Sequence, residues 1–405
     1  MPRRIAPADL ASVLPAGGLS LVSSCSAESA LLADAVTTAD GALADMTFAG
    51  IFVPGLNRLT WRAGEASRVL TFFQTPELRE EGERVEFLPL CYADILAEFR
   101  RRRPAAALFM CAPPDGEGRC SFGTEVAFIA ELWRDIPTRI AHINPLMPRT
   151  AGDPGIPLDA LTAYVEGSQP LIGNASSPDA CALAIAGHVA SFIGDGDTLQ
   201  TGLGKVPDAI LSMLADRRDL RLHSGLVGDG ALALAAKGAL VHAIAGCAIG
   251  SAALYDAVAS APFEFRPVSV THGAAALAGI RRLVTINSAL QVDLFGQAYA
   301  ELTPRGWMSG PGGASDFARG ARPHGLRIVA LPATAGEASR IVAPGVGAGP
   351  VSLGRMDIDV VATEHGAADL RGLGHDARAR ALVAIAAPEH RDPLEAAWAR
   401  YSKNL

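Results

Sequence analysis

The stretch that decides the fold is Asp197-Thr-Leu-Gln-Thr-Gly-Leu-Gly-Lys-Val-Pro-Asp208. The residues before Gly202 predict a strand, and Pro207 is typical of the first turn of a helix. Glycines at such a turn let peptide N–H groups point at an anion or a carbonyl oxygen, and the helix N-terminus adds partial positive charge. Pro207 stands where the third glycine of G-x-G-x-x-G belongs, so a dinucleotide-binding interpretation is weak. Taken alone, the motif is best interpreted as an ordinary tight turn.

The alternation of strand and helix continues on both sides of this stretch. Predicted strands cover 19–23, 85–88, 107–111, 138–144, 197–201 and 220–223. Predicted helices cover 27–39, 92–102, 180–193, 206–215 and 230–238. This alternation predicts an α/β fold.

Two proline- and glycine-rich regions interrupt the pattern. The first, within residues 145–178, suits a connector, so we expect two α/β domains, residues 1–177 and 178–405. The second, residues 303–350, is expected to be irregular.

Composition argues against several classes of protein. The chain of 405 residues has a formal net charge of −7 and only 35 Lys and Arg, so nucleic acid is not an expected partner. The longest uncharged apolar run, 238–255, is rich in Ala and Gly and predicts an interior strand and turn, not a membrane span. Six Cys without a C-x-x-C pair are expected to be reduced and mostly buried, and the N-terminus does not support a secretory signal. We therefore expect a cytoplasmic protein.

No metal site is expected. The nine His are isolated, and neither H-E-x-x-H nor paired Cys occurs.

Glu125 is the first candidate catalytic residue. It precedes Val-Ala-Phe-Ile at 126–129, and partial desolvation by such neighbours raises the pKa of a carboxyl, which suits a base or a nucleophile. The alternative is that Glu125 caps the next helix or pairs with an arginine.

Two further segments are candidates for a site. Leu222-His-Ser-Gly-Leu-Val-Gly-Asp-Gly230 places small and polar residues at the end of a predicted strand, where sites form in α/β sheets. Adjacent His223 and Ser224 point to opposite faces of a strand, so they are not expected to form a catalytic pair. The glycine-dense segment 309–320 is either a linker with one ion pair or a loop whose amides line a thioester or phosphate site.

Four segments together resemble the acetyl-CoA hydrolase/transferase family, which includes the 4-hydroxybutyrate CoA-transferases. They occur in the family's order and read GDTLQTGLGKVPDA at 196–209, INSALQVDLFGQ at 286–297, GPGGASDFARGA at 310–321 and VATEHGAADLRG at 361–372. The resemblance implies two open α/β domains of the class I CoA-transferase type, with the site between them. It also implies coenzyme A, as an acyl-CoA, for a substrate, and a homo-oligomer. The residues implied to bind CoA are Gly202, Leu203, Gly204, Lys205, Val206, Leu290, Gly312 and Gly313.

One departure from the family affects the chemistry. Family transferases use a glutamate that attacks the acyl-CoA, and in the family's His-Ser-Glu-Met pattern that glutamate aligns with Gly225. In the opposite direction, Glu125 stands where family members usually have a small residue. We hypothesise that Glu125 supplies the missing carboxylate.

Three functions follow from these residues. The leading hypothesis is hydrolysis of a C–S or C–C bond of an acyl-CoA, with Glu125 as base and backbone amides near 202–204 and 312–313 as oxyanion donors. The second is a CoA-transferase that passes CoA to a small carboxylate with Glu125 as the re-sited nucleophile. The third is a CoA-binding protein without catalysis.

Overall fold

The computed structural model describes residues 2–173, 177–303, 306–322 and 324–404. The chain forms two compact units. The first contains Met1–Ala175, Ile244–Thr271 and Met308–Gly312, and the second contains Ser176–Ala243, His272–Trp307 and Gly313–Leu405. The division into domains 1–177 and 178–405 stays a prediction, to which the units add that two later segments group with the N-terminal part.

The N-terminal part of the chain alternates strands and helices. Its strands are β1 (Arg3–Arg4), β2 (Gly17–Val22), β3 (Asp45–Gly50), β4 (Arg68–Thr71), β5 (Val85–Phe87), β6 (Ala106–Cys111), β7 (Arg119–Cys120), β8 (Thr138–Ile143), β9 (Ile156–Pro157) and β10 (Ala163–Glu166). Its α-helices are α1 (Ala30–Thr38), α2 (Pro76–Glu80), α3 (Tyr92–Arg102) and α4 (Ile129–Leu132).

One eight-stranded sheet forms the frame of the first unit. Its order is β1-β10-β8-β6-β2-β3-β4-β5, and every pair is parallel. All six residues of β6 are buried, as expected for an apolar strand in a sheet that is covered on both faces. Because the strands are parallel, β2, β3 and β6 end at the same edge, where sites form in such sheets.

The rest of the chain continues this alternation. Its strands are β11 (Thr198–Thr201), β12 (Leu220–His223), β13 (Leu226–Val227), β14 (Leu240–Ala245), β15 (Cys247–Ala248), β16 (Phe263–Phe265), β17 (Leu283–Ser288), β18 (Gln291–Asp293), β19 (Ala298–Tyr299), β20 (Leu302–Thr303), β21 (Gly306–Trp307), β22 (Leu326–Ala330), β23 (Thr334–Ala335), β24 (Ala338–Ser339), β25 (Ile341–Val342), β26 (Val360–Thr363) and β27 (Gly366–Asp369). Its α-helices are α5 (Ala180–Ala190), α6 (Lys205–Met213), α7 (Asp229–Ala236), α8 (Ala252–Ala257), α9 (Val268–Thr271), α10 (Ala274–Ala278), α11 (Ala314–Ala321), α12 (His375–Ala384) and α13 (Pro388–Tyr401).

A second eight-stranded sheet has the order β16-β14-β12-β11-β17-β22-β26-β27, and its strands from β12 onward in this order belong to the second unit. From β12 to β26 the neighbours are parallel, and β27 runs antiparallel to its neighbour, β26. The strands β12, β11, β17 and β22 therefore end at one edge. The predicted strand and turn within 238–255 are present as β14 and β15.

The predicted connector within 145–178 is wrong for part of its length. Ala163–Glu166 forms β10, which pairs with β8 from Ala163 opposite Ile140 to Glu166 opposite Ile143. The Pro and Gly residues mark the turn that precedes this strand, and four residues are too few to show a strand pattern. Residues 174–176 lie outside the described residues.

The region 303–350 is likewise less irregular than expected. It contains helix α11 and strand β22, which lies within the second sheet. Residues 304, 305 and 323 lie outside the described residues.

Candidate active site

The carboxylate of Glu125 is held by a single residue from a neighbouring strand end. Glu125 lies between β6 and β8, and Ser24 follows β2. Ser24 donates its backbone N–H to Oε2 and its Oγ–H to Oε1 of Glu125, each at 2.8 Å. The Ser24 Oγ accepts from the Ile51 N–H at 3.2 Å, which orients the hydroxyl. The carboxylate is thus fixed through both oxygens beside the ends of β2 and β3.

The alternative roles of Glu125 are wrong. Helix α4 begins at Ile129 with no side-chain cap. Among the described residues, the partners of the carboxylate are the two Ser24 groups and not an arginine.

Burial sets the protonation of Glu125. It raises the pKa of Glu125 to about 8, the charge of Glu28 adds to the shift, and the two hydrogen bonds from Ser24 oppose it. Val126, Ala127, Phe128 and Ile129 are all buried, which confirms the expected desolvation. A carboxyl group with this pKa exchanges its proton near neutral pH, as a general base requires.

Glu28 is a second buried carboxyl in the first unit. Burial raises its pKa to about 7, and hydrogen bonds from Asn57 and Trp61 oppose the shift. The Trp61 indole N–H donates to Glu28 Oε1 at 3.3 Å. Glu28 acts on Glu125 through its charge, and its own partners hold it in the core.

A small cavity lies beside Glu125. Its volume is about 20 Å³, and Ser23, Ser24, Ile51 and Phe128 are among the residues that line it. A cavity of this size accommodates one water molecule when polar partners are present. Ser23 Oγ is buried and has no hydrogen-bond partner among the described residues, so the lining offers a hydroxyl as well as the carboxylate.

The Cys25 thiol near Glu125 is not activated. Cys25 follows Ser24, and Cys247 forms an isolated β-bridge with Glu125. A hydrogen bond with the Cys247 thiol, together with burial, raises the pKa of Cys25 well above its ordinary value. A nucleophilic cysteine needs the opposite shift. All six Cys are free thiols and four are buried.

The predicted CoA-binding segment lies at the strand edge of the second unit. β11 ends at Thr201, and the turn through Gly204 leads into α6. Gly204 has φ +118°. A cavity of about 410 Å³ opens beside this turn, and its lining includes Leu203, Lys205, Val206, Ser288 and Pro332. Ser288 ends β17 and Pro332 follows β22, so the cavity lies at the carboxyl ends of three adjacent parallel strands.

Leu290 and Gly312, which are also predicted to bind CoA, are not among the residues that line this cavity. Leu290 lies in the turn after β17 and donates its N–H to the Tyr299 carbonyl at 2.8 Å. Gly312 belongs to the first unit, has φ +58°, and a Cβ there would lie 3.4 Å from the Phe73 ring.

Gly225 and Gly313 meet at a residue that sequence reasoning missed. Gly225 follows β12, and a Cβ at this position would lie 3.0 Å from both Cε1 and Nε2 of His272. Gly313 precedes α11, and a Cβ there would lie 2.6 Å from the same Nε2. The His272 ring packs on Phe317 with 4.7 Å between ring centroids. Two predicted site glycines therefore border one imidazole.

His272 is buried and uncharged. Only 2% of its surface is exposed. Burial, and secondarily the charge of His223, lower the pKa of His272 to about 3. Ser224 Oγ donates to the Thr201 carbonyl at 2.9 Å, in agreement with the expectation that His223 and Ser224 do not form a catalytic pair.

The sequence of this chain is similar to proteins of known family. Residues 250–398 match the family model described as the acetyl-CoA hydrolase/transferase C-terminal domain. A 4-hydroxybutyrate coenzyme A transferase of Clostridium kluyveri is 34% identical over 334 residues, which are 77% of this chain and 76% of that protein. The chain belongs to the acetyl-CoA hydrolase/transferase family. It is therefore a member of a family of enzymes that act on acyl-CoA thioesters.

Solved structures agree with the family fold. RipA from Yersinia pestis has a TM-score of 0.92 at 25% identity, covering 99% of this chain and 98% of RipA. A 4-hydroxybutyrate CoA-transferase from Porphyromonas gingivalis has a TM-score of 0.82 at 29% identity and covers 98% of each chain. The predicted α/β fold of the CoA-transferase type is confirmed.

The described residues lack two kinds of feature. No helix there has both the length and the apolar character needed to cross a membrane. No group of three or more His, Cys, Asp or Glu in the same residues is placed to hold a metal ion.

Proposed function

We propose that this member of the family hydrolyses a C–S or C–C bond of an acyl-CoA, with Glu125 as the general base. The observation that carries the proposal is the Glu125 carboxyl itself. It is fixed by Ser24, it has a pKa of about 8, and it lines a cavity of about 20 Å³ that can hold one water molecule.

For a thioester, hydrolysis needs one proton transfer at each end of the reaction. The Glu125 carboxylate takes a proton from water while the water oxygen bonds to the carbonyl carbon. The tetrahedral intermediate then breaks its C–S bond, and the proton on Glu125 passes to the departing thiolate. The products are the free carboxylic acid and CoA, and Glu125 is regenerated.

The CoA moiety would use the second unit. The cavity of about 410 Å³ is lined by three of the five residues from Gly202 to Val206. Lys205 is exposed at this cavity and supports the binding of a phosphate of CoA. Amides near 202–204 and 312–313 are the proposed oxyanion donors.

Glycine at position 225 favours water over exchange of CoA. The family resemblance implies a nucleophilic glutamate there, and glycine has no carboxylate with which to form an acyl-enzyme anhydride. A pKa of about 8 makes the ionised Glu125 a stronger base than an ordinary carboxylate, which favours the removal of a proton from water.

A CoA-transferase is the second candidate. The similar proteins from Clostridium kluyveri and Porphyromonas gingivalis are named as CoA-transferases. In this candidate Glu125 attacks the acyl-CoA, and a small carboxylate takes the place of water as second substrate. We also propose that the enzyme is cytoplasmic and that it forms a homo-oligomer. Light scattering of the purified protein measures the number of subunits.

Trapping of the covalent intermediate separates the candidates. The enzyme is incubated with acetyl-, butyryl- and acetoacetyl-CoA, and then treated with hydroxylamine or borohydride. We expect no inactivation or labelling, with release of free CoA if the C–S bond is hydrolysed or of acetate and acetyl-CoA from acetoacetyl-CoA if the C–C bond is. A glutamyl thioester at Glu125 would contradict hydrolysis by a base.

Glu28→Gln is the matched control for Glu125→Gln. Both residues are buried carboxyls of the first unit with raised pKa values. We expect Glu125→Gln to lower kcat by about 10²-fold or more and Glu28→Gln to retain most of the activity. Full activity of Glu125→Gln would contradict the proposal.

A further inference from the structure

We infer that Ser23 is a positioning residue, whose hydroxyl holds the attacking water molecule together with the Glu125 carboxylate. The inference rests on the proposed function, because it concerns the water that Glu125 deprotonates there. It goes beyond that function by assigning a second side chain to this water.

The first support is the hydroxyl group of Ser23. Ser23 follows β2, and its backbone N–H donates to the Leu108 carbonyl at 2.8 Å, which extends the pairing of β2 with β6. Only 6% of Ser23 is exposed, and its Oγ has no hydrogen-bond partner among the described residues. Buried hydroxyl groups in proteins are nearly always hydrogen-bonded, and an ordered water is a common partner where no protein group serves. The backbone therefore fixes a hydroxyl that is suited to a water molecule.

The second support is the cavity that Ser23 and Glu125 share. Its volume is about 20 Å³, and the residues with polar side chains in its lining are Ser23, Ser24 and Glu125. All the residues that line it belong to the first unit. One water molecule fits a cavity of this size when polar partners are present. The lining thus brings a buried hydroxyl and a buried carboxylate to a space for one water.

The third support is that Ser24, the remaining polar side chain of the lining, is already engaged. Its Oγ–H donates to Glu125 Oε1 at 2.8 Å, and its Oγ accepts from the Ile51 N–H at 3.2 Å. The two oxygens of a carboxylate offer about four acceptor positions. Ser24 uses two of them on Glu125, so the carboxylate can also accept from a water. Among the side chains of the lining, Glu125 and Ser23 are the pair left to hold it.

Two fixed acceptors would orient the water for attack. The water donates one hydrogen to Glu125, which removes it as the new bond to carbon forms, and the other hydrogen to Ser23 Oγ. With both hydrogens held, the lone pairs of the water oxygen are free to attack. Ser23 neither gains nor loses a proton, so its contribution is orientation, and a displacement of about 1 Å can cost about 10²-fold in rate.

The kinetic test compares two serines of the same segment in the full-length enzyme. Ser20 lies on β2 and is buried, and its Oγ also has no partner among the described residues, but Ser20 does not line the cavity. With acetyl-, butyryl- and acetoacetyl-CoA as substrates, we expect Ser23→Ala to lower kcat by about 10-fold to 10²-fold with KM nearly unchanged. Ser20→Ala should retain the wild-type kcat. Equal kcat values in the two variants would overturn the inference.

A crystallographic measurement distinguishes a water-holding residue from a packing residue. Structures of the wild type and of Ser23→Ala are determined at a resolution that shows ordered water. We expect the wild type to have a water within about 3.2 Å of both Ser23 Oγ and the Glu125 carboxylate, and this water to be lost or displaced in Ser23→Ala. A wild type without this water would overturn the inference even if kcat falls in Ser23→Ala. An unchanged water in Ser23→Ala would overturn it as well.

The failures of the two proposals are distinguishable. If Glu125→Gln is inactive while Ser23→Ala has the wild-type kcat and no water bridges the two side chains, the base proposal stands and the inference about Ser23 is wrong. If the water bridges Ser23 and Glu125 in the wild type but Glu125→Gln is fully active, the water site stands and Glu125 is not the base.

Discussion

The raised pKa of Glu125 makes activity depend on pH in one direction. The carboxylate is the active form, so kcat/KM should rise about tenfold per pH unit and level off above pH 8. Removing the charge of Glu28 lowers the pKa of Glu125, so the inflection of Glu28→Gln should move to lower pH. Rates of CoA release between pH 5.5 and 9.5 measure the inflection of the wild type and that of Glu28→Gln. A profile that falls through pH 8, or no inflection, would contradict Glu125 as base.

The pairing of Gly225 with His272 predicts a double-mutant effect. Gly225→Glu forces a Cβ to within 3.0 Å of the His272 ring, and overpacking of this kind costs about 1–3 kcal/mol. His272→Gly removes the obstacle, so the double variant should recover at least ~1 kcal/mol of that cost. Urea denaturation of the four proteins gives the coupling energy, and additive effects would show that the ring does not occupy this space.

The turn between β11 and α6 offers a matched pair of glycines. Gly204 has φ +118°, which side chains rarely adopt, while Gly202 does not have a positive φ in this range. A Cβ meets no atom within 4 Å at either position. Gly204→Ala should therefore destabilise the fold by about 1–3 kcal/mol through backbone strain alone, and Gly202→Ala by about 0.5 kcal/mol or less. Chemical denaturation measures the difference, and equal costs would show that the turn is not fixed.

Most elements that place the candidate site could be predicted from sequence. The predicted helix 92–102 coincides with α3, and the predicted strand 220–223 coincides with β12. The ends of some helices differ from the prediction because a side chain caps the helix. Helix α1 begins at Ala30 and not at residue 27, because Ser29 Oγ accepts a hydrogen bond from the Leu32 N–H. Short strands such as β10 were missed, since four residues beside a proline-rich turn carry too little pattern.

The partners within the site could not be predicted. Ser24 lies 101 residues from Glu125, and only the parallel order of β6, β2 and β3 brings them together. His272 shows no local motif, since its signal is a contact with glycines distant in sequence. The desolvation of Glu125 could be predicted because it comes from residues that adjoin Glu125 in the sequence. The hydrogen bonds to its carboxylate could not, because their donor is distant in the sequence.

CoA binding and catalysis should be separable in the intact protein. The cavity at 203–207 belongs to the second unit, and Glu125 belongs to the first. At 100 times its Kd, CoA should stabilise both the wild type and Glu125→Gln by about 2.7 kcal/mol. Thermal denaturation with and without CoA tests this. Loss of the stabilisation in Glu125→Gln would contradict a role confined to proton transfer, and no turnover in either protein would favour a passive CoA-binding protein.

The most direct measurement of the central claim is the fate of water oxygen in a single turnover. Excess enzyme is mixed with acyl-CoA in H₂¹⁸O, and mass spectrometry follows the free acid and the peptide that contains Glu125. If Glu125 acts as a base, the acid gains one ¹⁸O and Glu125 gains none. If Glu125 is a nucleophile, the first acid released takes its oxygen from Glu125 and is unlabelled, and ¹⁸O enters the Glu125 carboxyl instead. That second result would contradict the account.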